Sequence, residues 1–178
     1  NTDISDIDFS VSDFVQKINS DLIGKFINIG SRTQNFLVKL NNSKIAPGNI
    51  TKSLEFKEDY DVIINLIDRK EYSKALKNIM NIADKINAYV SSEEPWNKAK
   101  NGEEDKCIVI CSEALNVFKD LTILLQSFTP SITDKIFSLL NASDLTYDDL
   151  GIDNLNEVQK FKPFIARLEK NDFDGILD

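Results

Sequence analysis

"FVQKINSDLIGKFINIGSRTQNFLVKL", residues 14–40, is the stretch that decides the fold class. Its apolar positions Ile18, Leu22, Ile29, Phe36 and Leu40 recur at helical spacing, and Val15, Phe26 and Leu37 widen the stripe. Ser10, three residues ahead of Asp13, supplies a capped start. The pattern predicts one long amphipathic helix. Its other side carries Lys25, Asn28, Arg32, Asn35 and Lys39, at steps of three and four. At 3.6 residues per turn these five fall within roughly 80° of the circumference. They form a ribbon of cations and amides without a carboxylate. Such a ribbon is either a solvated face or a ligand surface.

The remainder of the chain extends this helical reading. "NNSKIAPGN", Asn41 to Asn49, is a loop punctuated by Pro47-Gly48. A second helix is expected over Leu54 to Asp68, after which Asp68 and Glu71 form a reciprocal cap for a third. That third helix buries Tyr72, Leu76, Ile79, Ala83, Ile86 and Val90, and ends ahead of Pro95. Asn101-Gly102 turns the chain, and Glu103, Glu104 and Asp105 put acid in the first turn of a fourth helix, where its dipole favours negative charge. Cys107, Cys111, Ala114, Phe118, Leu121 and Leu125 form its core stripe. A fifth helix covers Ser131 to Leu140. The tail, Asn141 to Asp178, is acidic and less periodic, with a short ordered element over Phe161 to Lys170. No strand pattern persists. The expectation is an all-α fold, an antiparallel bundle of about five helices over residues 1–140. Residues 141–178 would be a C-terminal extension.

Composition agrees with a globular domain: 178 residues, 42% hydrophobic and 28% charged, enough to bury a core without staples. The chain starts at Asn1, and the expectation is an excised piece or processed product, with no signal peptide and a cytoplasmic setting. No apolar run approaches the roughly 20 residues of a membrane-spanning helix. With no histidine, His-dependent acid–base and nucleophilic schemes fall away, and with them the commonest metal ligand. No catalytic residue and no metal ligand is assigned. Cys107 and Cys111 lie at i, i+4 and read as a disulfide, a metal pair, or two small core residues in a reducing compartment.

The net charge of −8 argues against a nucleic-acid partner until its distribution is seen. Residues 1–102 hold 14 acidic and 14 basic side chains, whereas residues 103–178 hold 15 and 7. Within residues 14–52 the only acid is Asp21, against Lys17, Lys25, Arg32, Lys39, Lys44 and Lys52. The first helix is therefore locally basic. The sole tryptophan, Trp96, sits in "SSEEPWNKAKNG", residues 91–102, a polar break directly after Pro95. Its ring either covers a helix end or serves as a platform for a planar ligand.

Two segments resemble a known family. "FVQKINSDLIGKFINIGSR" (Phe14–Arg32) and "ALKNIMNIADKINAYVSSEEPWNKAK" (Ala75–Lys100) are similar to the anticodon-binding domain of methionyl-tRNA synthetases. The matching motif residues are Asn19-Ser20-Asp21-Leu22, Gly24-Lys25, Asn28, Ser31-Arg32, Pro95-Trp96 and Ala99-Lys100. "LLNASDLTYDDL" (Leu139–Leu150) and "FKPFIARLE" (Phe161–Glu169) resemble that family's C-terminal end, whereas Leu40 to Ile64 resembles nothing beyond a loop and a helix. Where the family usually has Ala between the helix-one asparagine and serine, this chain has Gly30.

The resemblance implies a class I synthetase anticodon-binding domain that reads the CAU anticodon of methionine tRNA. The parent enzyme would be a ligase attaching methionine to its tRNA with ATP. The His-Ile-Gly-His-type signature of the catalytic part is missing here, so this chain alone would be non-catalytic and hold no cofactor. ATP, with zinc as a candidate second cofactor, would belong to the catalytic domain, which would also be a partner. No membrane or DNA partner is implied. By the same resemblance a cytosine stacks on Trp96, Pro95 holds the loop and presents backbone groups, and Asn28 and Arg32 contact the bases. Lys25, Lys39, Lys98 and Lys100 are candidate phosphate contacts. The alternatives are the anticodon domain of a sibling synthetase for valine, leucine, isoleucine or cysteine, and a helical protein-interaction module.

Overall fold

A computed structural model describes residues 10–46 and 52–174; the Pro47-Gly48 punctuation of the expected loop lies outside these. The expected all-α bundle forms, and among the described residues the only β-type pairing is a single bridge between Lys44 and Glu157.

The opening rod is continuous but not uniform. It runs as α1 (Val11–Lys17), a π-helical segment (Ile18–Ile27) and α2 (Asn28–Leu40). Ser10 caps it as expected, its Oγ accepting the Asp13 N–H at 3.3 Å. A plain 3.6-residue pitch is corrected over the middle ten residues. There each turn closes on the fifth residue back, and the wider winding brings Leu22, Phe26 and Ile27 all to the core. Gly24 fits that winding, because a Cβ on it would stand 3.0 Å from the Asn19 carbonyl oxygen. The more buried stripe is Val15, Leu22, Phe26, Ile29 and Leu37; Ile18, Phe36 and Leu40 are only partly covered.

A 3₁₀ turn, Lys52–Phe56, leads into α3 (Lys57–Asp68), and the three residues Arg69, Lys70 and Glu71 lead on to α4 (Tyr72–Glu93). The reciprocal Asp68/Glu71 cap does not form. Asp68 closes α3, Lys70 turns with φ 59°, and Glu71 pairs instead with Lys74. On α4, Ala75, Ile79, Ala83, Ile86 and Val90 are buried, but Tyr72 is 45% exposed and meets Phe128 edge-on. The short α5 (Pro95–Lys100), then α6 (Glu104–Leu125) and α7 (Pro130–Leu139) complete the order.

The helix α6 is the axis of the molecule. From Ile110 to Leu125 every residue except Glu113 is buried, so it carries apolar groups all round rather than on one stripe. The helices α2, α4, α5 and α7 pack around it. It also buries a complete ion pair. Lys119 and Asp120 are fully covered, with Nζ 2.9 Å from Oδ1. Lys119 donates to the carbonyls of Asp149 and Ile152 and to Asn154 Oδ1 at 2.9, 2.6 and 3.0 Å. Asp120 Oδ2 accepts from the Ser53 hydroxyl and from the Gly151 N–H at 3.2 Å. Burial raises the Asp120 carboxyl above the ordinary range against the pull of Lys119.

Those carbonyls belong to the tail, which returns along the opening rod in the opposite direction. Ile45 N–H donates to Asn156 O, and Val158 N–H to Ser43 O. Gln34 donates to the carbonyls of Leu139 and Gln159, while Asn19 exchanges two bonds with Leu168 at 2.8 and 2.9 Å. Phe14 and Phe173 meet edge-on. The ordered element expected over Phe161 to Lys170 has no regular secondary structure up to Glu169, after which a 3₁₀ turn at Lys170–Phe173 begins. Bonds to the rod order this segment, which has no helical period of its own.

Candidate nucleic-acid interface at the Trp96 corner

The corner is built by one proline. A residue ahead of proline is pushed away from the α region, and Glu94 takes a left-handed conformation, φ 47° and ψ 58°, that ends α4. Pro95 then occupies the first position of α5, where its missing N–H costs nothing. Trp96 is thus the second residue of a six-residue helix, not part of an unstructured break. Pro95 is buried, and Trp96 is half-buried with its ring partly packed on the core.

Arg32 reaches this ring from α2. Its guanidinium carbon stands 5.2 Å from the centre of the Trp96 ring system, a cation–π contact, while one of its nitrogens donates to Ser91 Oγ at 3.1 Å. Asn28, one turn before Arg32, donates from Nδ2 to Asn87 Oδ1 at 3.1 Å. Lys25 donates to Asp84 at 2.8 Å. Each of these three pairs joins a rod residue to the α4 residue 59 positions later. A constant offset means that the two helices run parallel and in register, as first and third members of an up-and-down bundle do.

These rungs change the expected ribbon. It is carboxylate-free in sequence but not in space, since α4 supplies Asp84, and Asp21 lies 3.5 Å from the Lys25 ammonium. The bond to Asp84 raises the Lys25 pKa above the ordinary lysine value. Lys98 is paired with Glu93 at 3.7 Å, beside a shallow hollow of about 330 Å³ that Asp105 and Lys106 also line. Lys39 and Lys100 are exposed and form no ion pair among the described residues. Lys39 lies in the last turn of α2, Lys100 at the end of α5.

Arg32, Asn28 and Trp96 therefore come together, with Pro95 behind them, whereas the four lysines do not form one cluster. Sequence reading missed Asp84, Asn87 and Ser91, which hold Lys25, Asn28 and Arg32 in place. Asn87 and Ser91 lie at i, i+4 on α4, but nothing in one sequence says which helix they face. Cys107 and Cys111 are free and buried in α6, and no group of three or more His, Cys, Asp or Glu poised for a metal exists among the described residues. The corner offers an aromatic platform, an amide and a guanidinium. Such a set holds a planar heterocycle by stacking and by hydrogen bonds to its edge.

Residues 47–171 match a family model described as the anticodon binding domain of methionyl tRNA ligase. A methionine–tRNA ligase of Ralstonia nicotianae is 34% identical over an alignment that covers 100% of this chain and 27% of that protein. One of Francisella tularensis subsp. tularensis is 35% identical, covering 98% and 27%. These alignments also take in the opening rod and the Leu40–Ile64 stretch. The chain spans about a quarter of the length of these curated relatives. Among solved structures, the apo form of Mycobacterium tuberculosis methionyl-tRNA synthetase superposes with a TM-score of 0.76 at 17% identity, over 90% of this chain and 35% of that one. The same enzyme in complex with methionyl-adenylate gives 0.72 at 18%, over 87% and 33%. At such identities the structural likeness speaks for the fold alone.

Proposed function

The chain belongs to the family of anticodon-binding domains of methionyl-tRNA ligases, and from that premise we propose that it reads the CAU anticodon loop of a methionine tRNA at the Trp96 corner. The first anticodon base, a cytosine, stacks on the indole, and Asn28 and Arg32 address its edge. Pro95 fixes the platform. The observation that carries this reading is the Arg32 guanidinium 5.2 Å from the Trp96 ring with Asn28 one turn away. That spacing leaves no room for a base between guanidinium and indole. The base therefore takes the other face of the ring or displaces Arg32 from it.

The parent protein, in this reading, is a cytoplasmic ligase that attaches methionine to its tRNA with ATP, bound in a catalytic domain outside this chain. Lys39 and Lys100, free of carboxylate partners among the described residues, are better phosphate contacts than Lys25 and Lys98. Binding by the isolated chain is weak, because the acceptor-end contacts are missing and residues 103–178 are acidic.

The test is titration of the lone indole with a CAU stem-loop. The expected result is a clear fluorescence quench that weakens steeply with added salt, as phosphate contacts require. Trp96→Ala removes a stacking contribution of roughly 1–3 kcal/mol, at least a several-fold loss of affinity in an anisotropy assay. Equal affinity for a loop lacking the cytosine overturns the reading. Salt-insensitive capture of a protein instead of RNA would favour a helical interaction module.

A further inference from the structure

We infer that Asn87 is a positioning residue that fixes which end of the Asn28 amide meets the base, and so selects a base carrying an exocyclic amine. This rests on the anticodon-reading role proposed above. Asn87 sits between two backbone carbonyls, those of Lys25 and Ala83, each 2.9 Å from its Nδ2. A carbonyl only accepts, so the atom facing both must be the amide nitrogen. That orientation leaves the Asn87 oxygen for Asn28, and Asn28 must meet it with its own nitrogen, at 3.1 Å. That puts the Asn28 oxygen at the end of the amide away from Asn87, with one N–H of Nδ2 left unspent. Asn28 Oδ1 accepts no bond from the described residues and is not among the buried, unpaired oxygens.

The consequence is a polarity. One turn on, Arg32 spends one nitrogen on Ser91 and keeps further N–H donors. The corner presents an acceptor from Asn28 beside donors from Arg32. Cytosine matches this with its N4 amine and its N3 and O2 acceptors. Uracil places O4 against the Asn28 oxygen, two acceptors facing each other. Without Asn87 the Asn28 amide turns over freely and serves either base.

The experiment measures anisotropy of three labelled stem-loops on the intact chain and on Asn87→Ala, with circular dichroism confirming the helical fold. The first anticodon position is cytosine, uracil, or 2-pyrimidinone, which is cytosine without its amine. On the unaltered chain, cytosine is expected to bind about tenfold or more tighter than uracil, with 2-pyrimidinone between. In Asn87→Ala the cytosine-over-uracil ratio should fall to about threefold or less, while the uracil loop binds as well as before or better. Retention of the full ratio in folded Asn87→Ala overturns the role of Asn87 and leaves anticodon reading standing. So does 2-pyrimidinone binding as tightly as cytosine, a measurement that decides the matter even if Asn87→Ala does not fold. Failure of the unaltered chain to prefer cytosine at all defeats the anticodon reading, and this inference with it.

Discussion

Gly30 shows how a single residue acquires its reason from its neighbour. In isolation a mid-helix glycine costs roughly 0.5–1 kcal/mol against alanine. In the fold, a Cβ at this position would stand 2.9 Å from Cε1 and 3.2 Å from Cζ of Phe118, a fully buried ring on the central helix. Close crossing of α2 over α6 thus needs the missing side chain. Crowding a packed core typically costs about 1–3 kcal/mol, which outweighs the helix gain. Gly30→Ala should therefore destabilise by about 1 kcal/mol in urea unfolding, and the same alanine should cost little when introduced into the Phe118→Leu protein. An alanine that stabilises would show that the ring has room to retreat.

At the scale of an element, the break between α4 and α5 is what makes Trp96 available. Glu94 turns left-handed and Pro95 restarts the helix, so the indole projects from a new axis towards α2. Pro95→Ala lets Glu94 relax and loosens the unfolded chain as well, at a cost of about 0.5–1 kcal/mol. The larger effect is expected in recognition, with affinity for a CAU stem-loop falling several-fold as the platform loses its fixed orientation. Unchanged affinity would mean that packing on the core alone holds the ring. The parallel register of the rod and α4 belongs to this scale too. Three rungs of one offset place Asn28 and Arg32 against a fixed partner surface, a better frame for reading a base than a freely solvated face.

For the whole molecule, the decisive feature is the Lys119–Asp120 pair inside the core. Two buried charges are a weak source of net stability, but each is costly to leave without its particular partners. Here those partners are Ser53 and the backbone of residues 149–152, so the pair ties the 3₁₀ turn and the start of the tail to the axis. Lys119→Met strands the carboxylate and three tail acceptors. It should cost about 3–5 kcal/mol in denaturant titration and should raise amide exchange in residues 149–168 beyond that of the helices. A loss under about 1 kcal/mol would show that the tail is held by Leu150, Leu155, Val158 and Phe161 alone.

The five longer helices, their order and the capped start at Ser10 were legible in the chain, because periodicity and capping are local; the Asn28–Arg32–Trp96 trio spans two helices and was not. A resemblance to known motifs joined the trio before any coordinates did. The π-wound middle of the rod was not legible, since Leu22, Phe26 and Ile27 suit a helical stripe at either pitch until a core exists to bury all three. Nor were the rungs to Asp84, Asn87 and Ser91, or the path of the tail. Those depend on which surfaces meet, and a burial pattern along one helix records that a face is covered without recording by what. Secondary structure follows from short-range sequence, while partner choice, register and the fate of buried charge follow from packing in three dimensions.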